Sequence, residues 1–207
     1  MVNYKNIPSG IIHIAERHVR DLLHEKLPGI RKYHNIAHTI RVVEKCSEIS
    51  VHENLPEEDT EGLLLAAWFH DTGYVYGTIE HENLSAEIAT QFLKESSVTD
   101  ILVASVCRAI LATKLPTRPK TRIEKILCDA DMQHLGAADF KQQSDLLKRE
   151  RELETKVVID EMTWNRVNIS FLKQHAYFTT YARTTWENQK QINLLHIMNQ
   201  VQSSETK

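Results

Sequence analysis

The most constraining feature of this sequence is an unbroken apolar run, Leu63–Phe69, that leads directly into His70 and Asp71. Acidic residues at 57–59 precede the run and suit the positive end of a helix dipole, so the pattern predicts a helix that is apolar on every side. Such a helix must be buried, and ionisable groups at its end are costly unless they are paired or bound to a metal ion. Gly73 follows and favours a left-handed C-cap, at which the chain leaves the core.

Helical spacing of apolar residues recurs along most of the remaining chain, and no segment forms a convincing strand pattern. We therefore expect an all-α fold, built as a helical bundle. The other helices are predicted from about residue 11 to a stop at 27–29, from 36 onward, at about 83–95, 99–113, 121–131 and 139–159, and from 163 and 180 onward. Ser203–Lys207 is expected to be a frayed tail.

Helix starts are predicted from capping residues. Asn35 precedes an amphipathic segment and is expected to be an N-cap, which leaves the preceding residue outside the helix. Thr121 with Glu124, and Asp139 with Gln142, each have the spacing of a capping box.

The overall composition limits the classes of partner. The length of 207 residues and hydrophobic content of 42% provide one sizeable core and no need for a second domain. The formal net charge of -3 gives no long-range field that would attract a nucleic acid polymer or an anionic membrane, so any phosphate must be bound locally. No apolar run is long enough to cross a bilayer, and Met1–Gly10 lacks the features of a secretion signal, so we expect a cytoplasmic protein.

Several imidazole and carboxylate side chains stand at predicted helix ends, where different helices can direct them to one shared point. They are His34, His38, His70, Asp71, Asp129 and Asp131. Imidazole nitrogens and carboxylate oxygens together suit Mn, Fe, Co, Ni, Zn or Mg. The pattern therefore predicts a metal centre.

A single histidine in a helix is usually a surface residue or a hydrogen-bonded core residue. We expect this of His13, His18, His24, His52 and His196. The His70-Asp71 pair differs because it follows the most apolar helix of the chain, and this position favours metal binding.

Three segments together resemble the HD-domain metal-dependent phosphohydrolases, whose pattern is a histidine, then a His-Asp pair, then a distant aspartate. The segments are Tyr33-His34-Asn35-Ile36-Ala37-His38, Trp68-Phe69-His70-Asp71 and Cys128-Asp129-Ala130-Asp131. Their order and helical setting agree over roughly residues 30–136. The resemblance implies one HD-type helical domain over 1–207, with additional C-terminal helices at about 139–202.

The resemblance also implies a ligand set for the metal. The matching positions are His38, His70, Asp71 and Asp131, the last being favoured because the family's final aspartate typically follows alanine. Asp129 is then expected to support the ligands without binding the metal itself.

The resemblance implies one divalent ion: Mn, Mg, Fe, Co, Ni or Zn. Members with two metals usually place further histidines near the end of the helix that here finishes at 109–113, and none is present.

The activity implied by this resemblance is hydrolysis of a phosphate ester or anhydride. A divalent ion lowers the pKa of a bound water and so supplies a hydroxide that can attack phosphorus. His34 matches the first histidine of the His-Asn-x-x-His pattern of phosphodiesterases, which implies that it protonates the leaving oxygen or holds a phosphate oxygen.

Two further residues are predicted to serve the substrate. The stretch from His81 to Ala86 resembles the His-Glu-x-x-Ser-Ala segment of some members, which implies that His81 contacts substrate or a second ion; a solvated helix N-terminus is an equal alternative. Lys114 belongs to a basic cluster in the proline-containing segment 114–122 and is the favoured phosphate-binding residue, against the alternative of a solvated loop.

The favoured substrate is a small phosphorylated metabolite, in particular a nucleotide. Two alternatives stay open at this point: a module that binds or senses a nucleotide without hydrolysing it, and a purely structural metal site. Aromatic residues at 174–178 could close over a base, but packing is the preferred interpretation. Whether the chain forms a homodimer is left open.

Overall fold

The computed structural model describes residues 10–205, and over that range it contains α-helices and short 3-10 helices but no strand. The all-α prediction is therefore confirmed. The α-helices are α1 (Gly10–Lys26), α2 (Ile36–His52), α3 (Glu57–Phe69), α4 (His81–Glu95), α5 (Asp100–Ala112), α6 (Arg122–Asp131), α7 (Phe140–Thr155), α8 (Glu161–Gln174), α9 (Thr180–Thr185) and α10 (Glu187–Glu205). The 3-10 helices cover Thr72–Val75 and Met132–Gly136.

Helix α3 lies at the centre of the main hydrophobic core. Every residue of Leu63–Phe69 is 0% exposed, and the helix packs against α1, α2, α4, α5 and α6. This agrees with the expectation that a helix apolar on all sides is buried. Its C-terminal end therefore delivers two ionisable residues to the edge of a closed core.

A smaller hydrophobic cluster joins the C-terminal helices. It involves the 3-10 helix Met132–Gly136 and helices α7, α8 and α10, and its buried members are Leu135, Phe140, Leu172, Leu194 and Ile197. Since this 3-10 helix directly follows α6, the second cluster fixes the C-terminal helices next to the end of α6. Across residues 10–205, no helix combines the length and the apolar character that a membrane span requires.

Two of the predicted caps are confirmed. The Asn35 side chain accepts hydrogen bonds from the backbone N–H groups at the start of α2, and Thr121 with Glu124 forms the capping box of α6. The capping box predicted at Asp139 is wrong, because its side chain makes no capping bond and instead accepts a hydrogen bond from Gln143 at 2.7 Å. Helix α7 also ends earlier than predicted, with Lys156 in the left-handed region at a φ of 58°.

The C-terminal helix is longer than predicted. Helix α10 continues to Glu205, so most of the expected frayed tail, Ser203–Lys207, is helical. Residues 206–207 and the segment 1–9, which was searched for a secretion signal, lie outside the described residues.

The prediction for Gly73 is also wrong, because this residue does not adopt a positive φ. The chain does not leave the core there: Thr72, Gly73 and Tyr74 are buried in a 3-10 helix. The Gly73 N–H donates to Ser85 Oγ at 2.8 Å, and a Cβ on this residue would lie 2.1 Å from the backbone oxygen of His81. Glycine is required here because the 3-10 helix packs directly on the backbone of α4.

We expect Gly73→Ala to destabilise the protein by about 3 kcal/mol or more, because the new methyl group meets backbone that cannot rotate away. Gly29→Ala is the matched control, since a Cβ there meets nothing within 4 Å. It should change the free energy of unfolding by no more than about 0.5 kcal/mol. Chemical denaturation of both variants measures this, and equal stabilities would contradict the close approach.

Candidate metal centre

Four of the predicted side chains meet at one point between three helix ends. His38 comes from the first turn of α2, His70 and Asp71 follow α3, and Asp131 ends α6. His38 Nε2 lies 3.3 Å from Asp71 Oδ2 and 3.1 Å from Asp131 Oδ1, while His70 Nε2 lies 3.3 Å from Asp71 Oδ2 and 3.8 Å from Asp131 Oδ1. The two Nε2 atoms are 3.3 Å apart. We call these four residues the HHDD cluster.

The backbone sets the orientation of the His70 ring. His70 Nδ1 lies 2.7 Å from the carbonyl oxygen of Ala67, which can only accept a hydrogen bond. Nδ1 therefore carries a proton, and in the neutral ring Nε2 presents its lone pair to the centre of the cluster. Metal-binding histidines are commonly oriented by such a bond from their second nitrogen.

The carboxylates control the charge of the two buried imidazoles. Burial opposes a charged ring at His70, but the nearby Asp71 outweighs this effect and raises its pKa to about 9. Burial likewise opposes charge at His38, yet the carboxylates of Asp131 and Asp71 outweigh it and raise its pKa. In turn the histidines outweigh burial and hold the pKa values of Asp71 and Asp131 below the usual range. The cluster therefore keeps both carboxylates ionised.

A cation fits the centre of the HHDD cluster. Asp71 Oδ2 is buried and has no hydrogen-bond partner among the described residues, although it lies 3.3 Å from both Nε2 atoms. An unsatisfied buried carboxylate oxygen is unfavourable, and a divalent ion would satisfy it. His38, His70 and Asp71 offer ligand atoms that all lie within 4.8 Å of one another. Nitrogen and oxygen donors of this kind can hold a divalent metal.

His34 lies beside the cluster, with its ring centroid 5.8 Å from that of His38. Its Nδ1 is 2.6 Å from Glu150 Oε1, and its Nε2 is 3.3 Å from the hydroxyl of Tyr74. The side chain remains 18% exposed, so it can be reached from solvent.

His81 lies on another side of the cluster. Its Nδ1 is 3.1 Å from the carbonyl oxygen of Thr78, so Nδ1 donates and Nε2 faces Asp71 Oδ1 at 3.8 Å. The His81 ring stacks on Tyr74 at 4.1 Å, and His34 stacks on Tyr74 at 4.2 Å. The Tyr74 ring therefore lies between His34 and His81, the two histidines that flank the cluster.

Tyr33 and His134 are residues of the site that the sequence did not reveal. The Tyr33 ring packs 4.8 Å from the His38 ring, and its hydroxyl is 2.9 Å from His134 Nδ1. Burial lowers the pKa of His134 to about 4, so the ring is neutral near pH 7. Tyr33 and His134 therefore pack on the His38 side of the cluster as uncharged side chains.

Glu150 and Arg31 were also missed. Glu150 lies in a segment of α7 in which acidic and basic residues alternate. The sequence of that segment gives no sign of which carboxylate is buried and which are solvated. Arg31 is a single charge in the loop before α2, where an exposed position is the ordinary expectation. Only the packing of α7 against that loop makes either residue part of the site.

The hydrogen bonds described for Asp129 go to another segment, so its predicted support of the ligands stays a prediction. Its carboxylate is fully buried, and the hydrogen bonds described for it come from the backbone N–H groups of Phe178 and Thr179, at 2.7–3.2 Å. Asp129 therefore anchors the segment between α8 and α9. Residues two apart on an α-helix project about 200° apart, so Asp129 and Asp131 lie on different faces of α6.

Lys114 lies outside the cluster, at the end of α5. Its ammonium is exposed and bonds to Glu80 Oε1 at 2.8 Å, next to His81. This contact places Lys114 on the rim of the site but leaves its role toward a substrate as a prediction. Arg122 points elsewhere, since it donates to the carbonyl oxygen of Glu53.

Comparison with known proteins gives a consistent result. Residues 35–134 match the HD domain family. No curated protein matches the chain significantly. A solved structure of a predicted HD superfamily hydrolase from an uncultured Thermotogales bacterium is similar to this one, with a TM-score of 0.60 and 22% sequence identity, over 90% of this chain and 91% of that chain. At this identity, the likeness establishes the shared fold.

We expect Mn²⁺ to stabilise the folded protein through the HHDD cluster. At a hundredfold excess over the dissociation constant, the gain should be about 2.7 kcal/mol, seen as a higher melting temperature. Asp71→Asn should abolish the shift, because it removes the negative charge of the unpaired buried oxygen. Asp145→Asn, a change on the exposed face of α7, should retain it. An undiminished shift in Asp71→Asn would place the metal elsewhere.

Proposed function

Because residues 35–134 match the HD domain family, we propose that this chain is a metal-dependent hydrolase that cleaves a phosphate ester or anhydride of a small metabolite. The observation that carries the proposal is the convergence of two Nε2 atoms and two carboxylates around Asp71 Oδ2, a buried oxygen that accepts no hydrogen bond. The metal ligands in this proposal are His38, His70, Asp71 and Asp131. When bound, a divalent ion would lower the pKa of a coordinated water and polarise a phosphoryl oxygen.

The protein's own residues would prepare the site for this reaction. The Ala67 carbonyl holds the His70 ring with Nε2 toward the cluster. Tyr33 and His134 exclude water from the back of His38. These contacts fix the ligands before a substrate arrives, so binding energy need not be used to order them.

In this proposal, His34 is the proton donor for the leaving oxygen. Glu150 accepts the hydrogen on Nδ1, so Nε2 is the nitrogen that would donate. His34 is close enough to the cluster to reach a leaving group attached to a phosphorus held there. On the other flank, His81 Nε2 would contact the substrate.

We propose a small substrate, with a nucleotide as the favoured class. The side chains of His34, His81, Asp71 and Asp131 are at most 18% exposed, which favours a ligand that inserts only a phosphate group. The formal net charge of -3 supports the same choice, because it gives no general attraction to a polyanion.

A screen of mono-, di-, tri- and cyclic nucleotides and simple phosphate esters tests the proposal. Each substrate is tested with Mn²⁺, Mg²⁺, Co²⁺, Ni²⁺, Zn²⁺ or Fe²⁺, and the release of phosphate or pyrophosphate is measured. A phosphodiester that frees neither ion is followed by chromatography of its products. We expect metal-dependent turnover that falls by at least about 10³-fold in Asp71→Asn, since losing a ligand impairs both metal binding and activation of water. His24→Ala, an exposed histidine on α1, is the matched control and should behave as the wild type.

The same screen separates the alternatives. Nucleotide binding without turnover, measured by calorimetry, would identify a sensing module and reject the hydrolase proposal. Metal-dependent stabilisation with neither binding nor turnover would identify a structural metal site.

Lys114→Ala gives a separate prediction. If Lys114 binds a phosphate on the rim, its removal should raise KM about tenfold or more with little change in kcat, because such a contact is equally strong in the ground state and the transition state. Lys120→Ala, a change in the same basic segment, is the control. An unchanged KM in Lys114→Ala would remove this residue from the substrate site.

A further inference from the structure

Helix α7 lies outside the segment that matches the HD domain, yet it contributes a buried carboxylate to the site. Glu150 is 3% exposed and accepts hydrogen bonds from the backbone N–H of Tyr33 at 2.8 Å and of His34 at 3.1 Å, both through Oε2. Its Oε1 lies 2.6 Å from His34 Nδ1. One carboxylate therefore binds both the ring of His34 and the backbone that carries the ring.

This arrangement selects one orientation of the His34 ring. The carboxylate is an acceptor only, because these hydrogen bonds outweigh burial and lower the pKa of Glu150. The hydrogen must therefore reside on His34 Nδ1, which makes Nε2 the reactive nitrogen. Stacking against Tyr74, with ring planes 17° apart, prevents the ring from turning away.

The buried guanidinium of Arg31 balances the negative charge of Glu150. Arg31 Nη1 lies 3.6 Å from Glu150 Oε1, and Arg31 Nη2 lies 3.2 Å from Glu154 Oε1, one turn further along α7. The guanidinium is buried and also lies over the Tyr74 ring, 5.1 Å from its centroid. Glu154 bonds to Thr78 but is not a partner of His34. The two glutamates thus share one arginine and differ in their contact with His34.

We propose that Glu150 is a positioning residue that holds His34 as the proton donor for the leaving oxygen of the substrate. This inference rests on the proposed hydrolase function and deepens it, since it assigns to α7 a role in the chemical step. As the bond between phosphorus and the leaving oxygen breaks, the proton on Nε2 passes to that oxygen. The water oxygen becomes bonded to phosphorus, its proton leaves to solvent, and His34 is then reprotonated from solvent.

A proton donor matters in proportion to the basicity of the leaving group. An alkoxide must be protonated as it departs, whereas 4-nitrophenolate is stable without a proton. Loss of the donor, or of the residue that positions it, should therefore slow hydrolysis of an alkyl ester and spare the 4-nitrophenyl ester. A purely structural role for Glu150 would slow both substrates alike.

Glu150→Gln is the test variant, because an amide keeps only one acceptor oxygen, so its NH2 group must face either His34 Nδ1 or the two backbone N–H groups. With the metal that supports activity, we expect kcat for an alkyl ester to fall about 10²-fold or more, and kcat for the matching 4-nitrophenyl ester to fall less than about fivefold. His34→Ala should show the same selectivity, and the double variant should show no further loss on the alkyl ester. Glu154→Gln is the matched control and should leave the ratio of the two rates unchanged.

The outcomes separate the inference from the function. Metal-independent turnover by the wild type, or no turnover of any nucleotide or phosphate ester in the screen, would reject the proposed function and this inference with it. Normal wild-type activity with equal losses on both esters in Glu150→Gln, or additive losses in the double variant, would overturn the inference alone.

A measurement on the wild type does not depend on whether the variant folds. Nitrogen-15 NMR of the histidine rings, with His34 assigned by comparison with His34→Ala, should show a hydrogen on Nδ1 in both protonation states. A neutral form that carries its hydrogen on Nε2 would overturn the inference.

Discussion

The whole structure depends on how charge is accommodated at the buried end of α3. A helix that is apolar on every side brings His70 and Asp71 to the edge of a closed core, where water cannot solvate them. Helix α2 begins and helix α6 ends at the same place, bringing His38 and Asp131, so each imidazole faces a carboxylate. Two imidazoles thus share this space with two carboxylates, and the Asp71 oxygen that accepts no hydrogen bond marks the point at which a cation would fit.

The site is divided between two parts of the chain. The segment matched by the HD domain, 35–134, contains the four residues of the HHDD cluster, and so it contains what can hold a metal. The residues that orient His34 lie on either side of that segment: Arg31 before it, and Glu150 after it on α7. The C-terminal helices are fixed to the core by Asp129, which binds the backbone at 178–179. The C-terminal helices therefore pack on the core and supply Glu150 to the site.

The sequence could predict what depends on local pattern. Asn35 acts as an N-cap because its own side chain reaches N–H groups two and three residues ahead, and the apolar run of α3 predicts its burial without knowledge of its neighbours. The HHDD cluster was predictable because its members sit at helix ends in a known order. What could not be predicted depends on distant packing. Gly73 is glycine because of α4, and Glu150 is buried because of a loop 116 residues earlier.

The distance along the chain between His34 and Glu150 also affects how the protein is made. Synthesis proceeds from the N-terminus, and α2, α3 and α6 are complete before α7 has been added. A nascent chain can therefore gather the metal-binding side chains while the ring of His34 still lacks the carboxylate that orients it. In the proposed hydrolase, a nascent chain that ends before residue 150 would therefore have the HHDD cluster but no carboxylate to fix its proton donor.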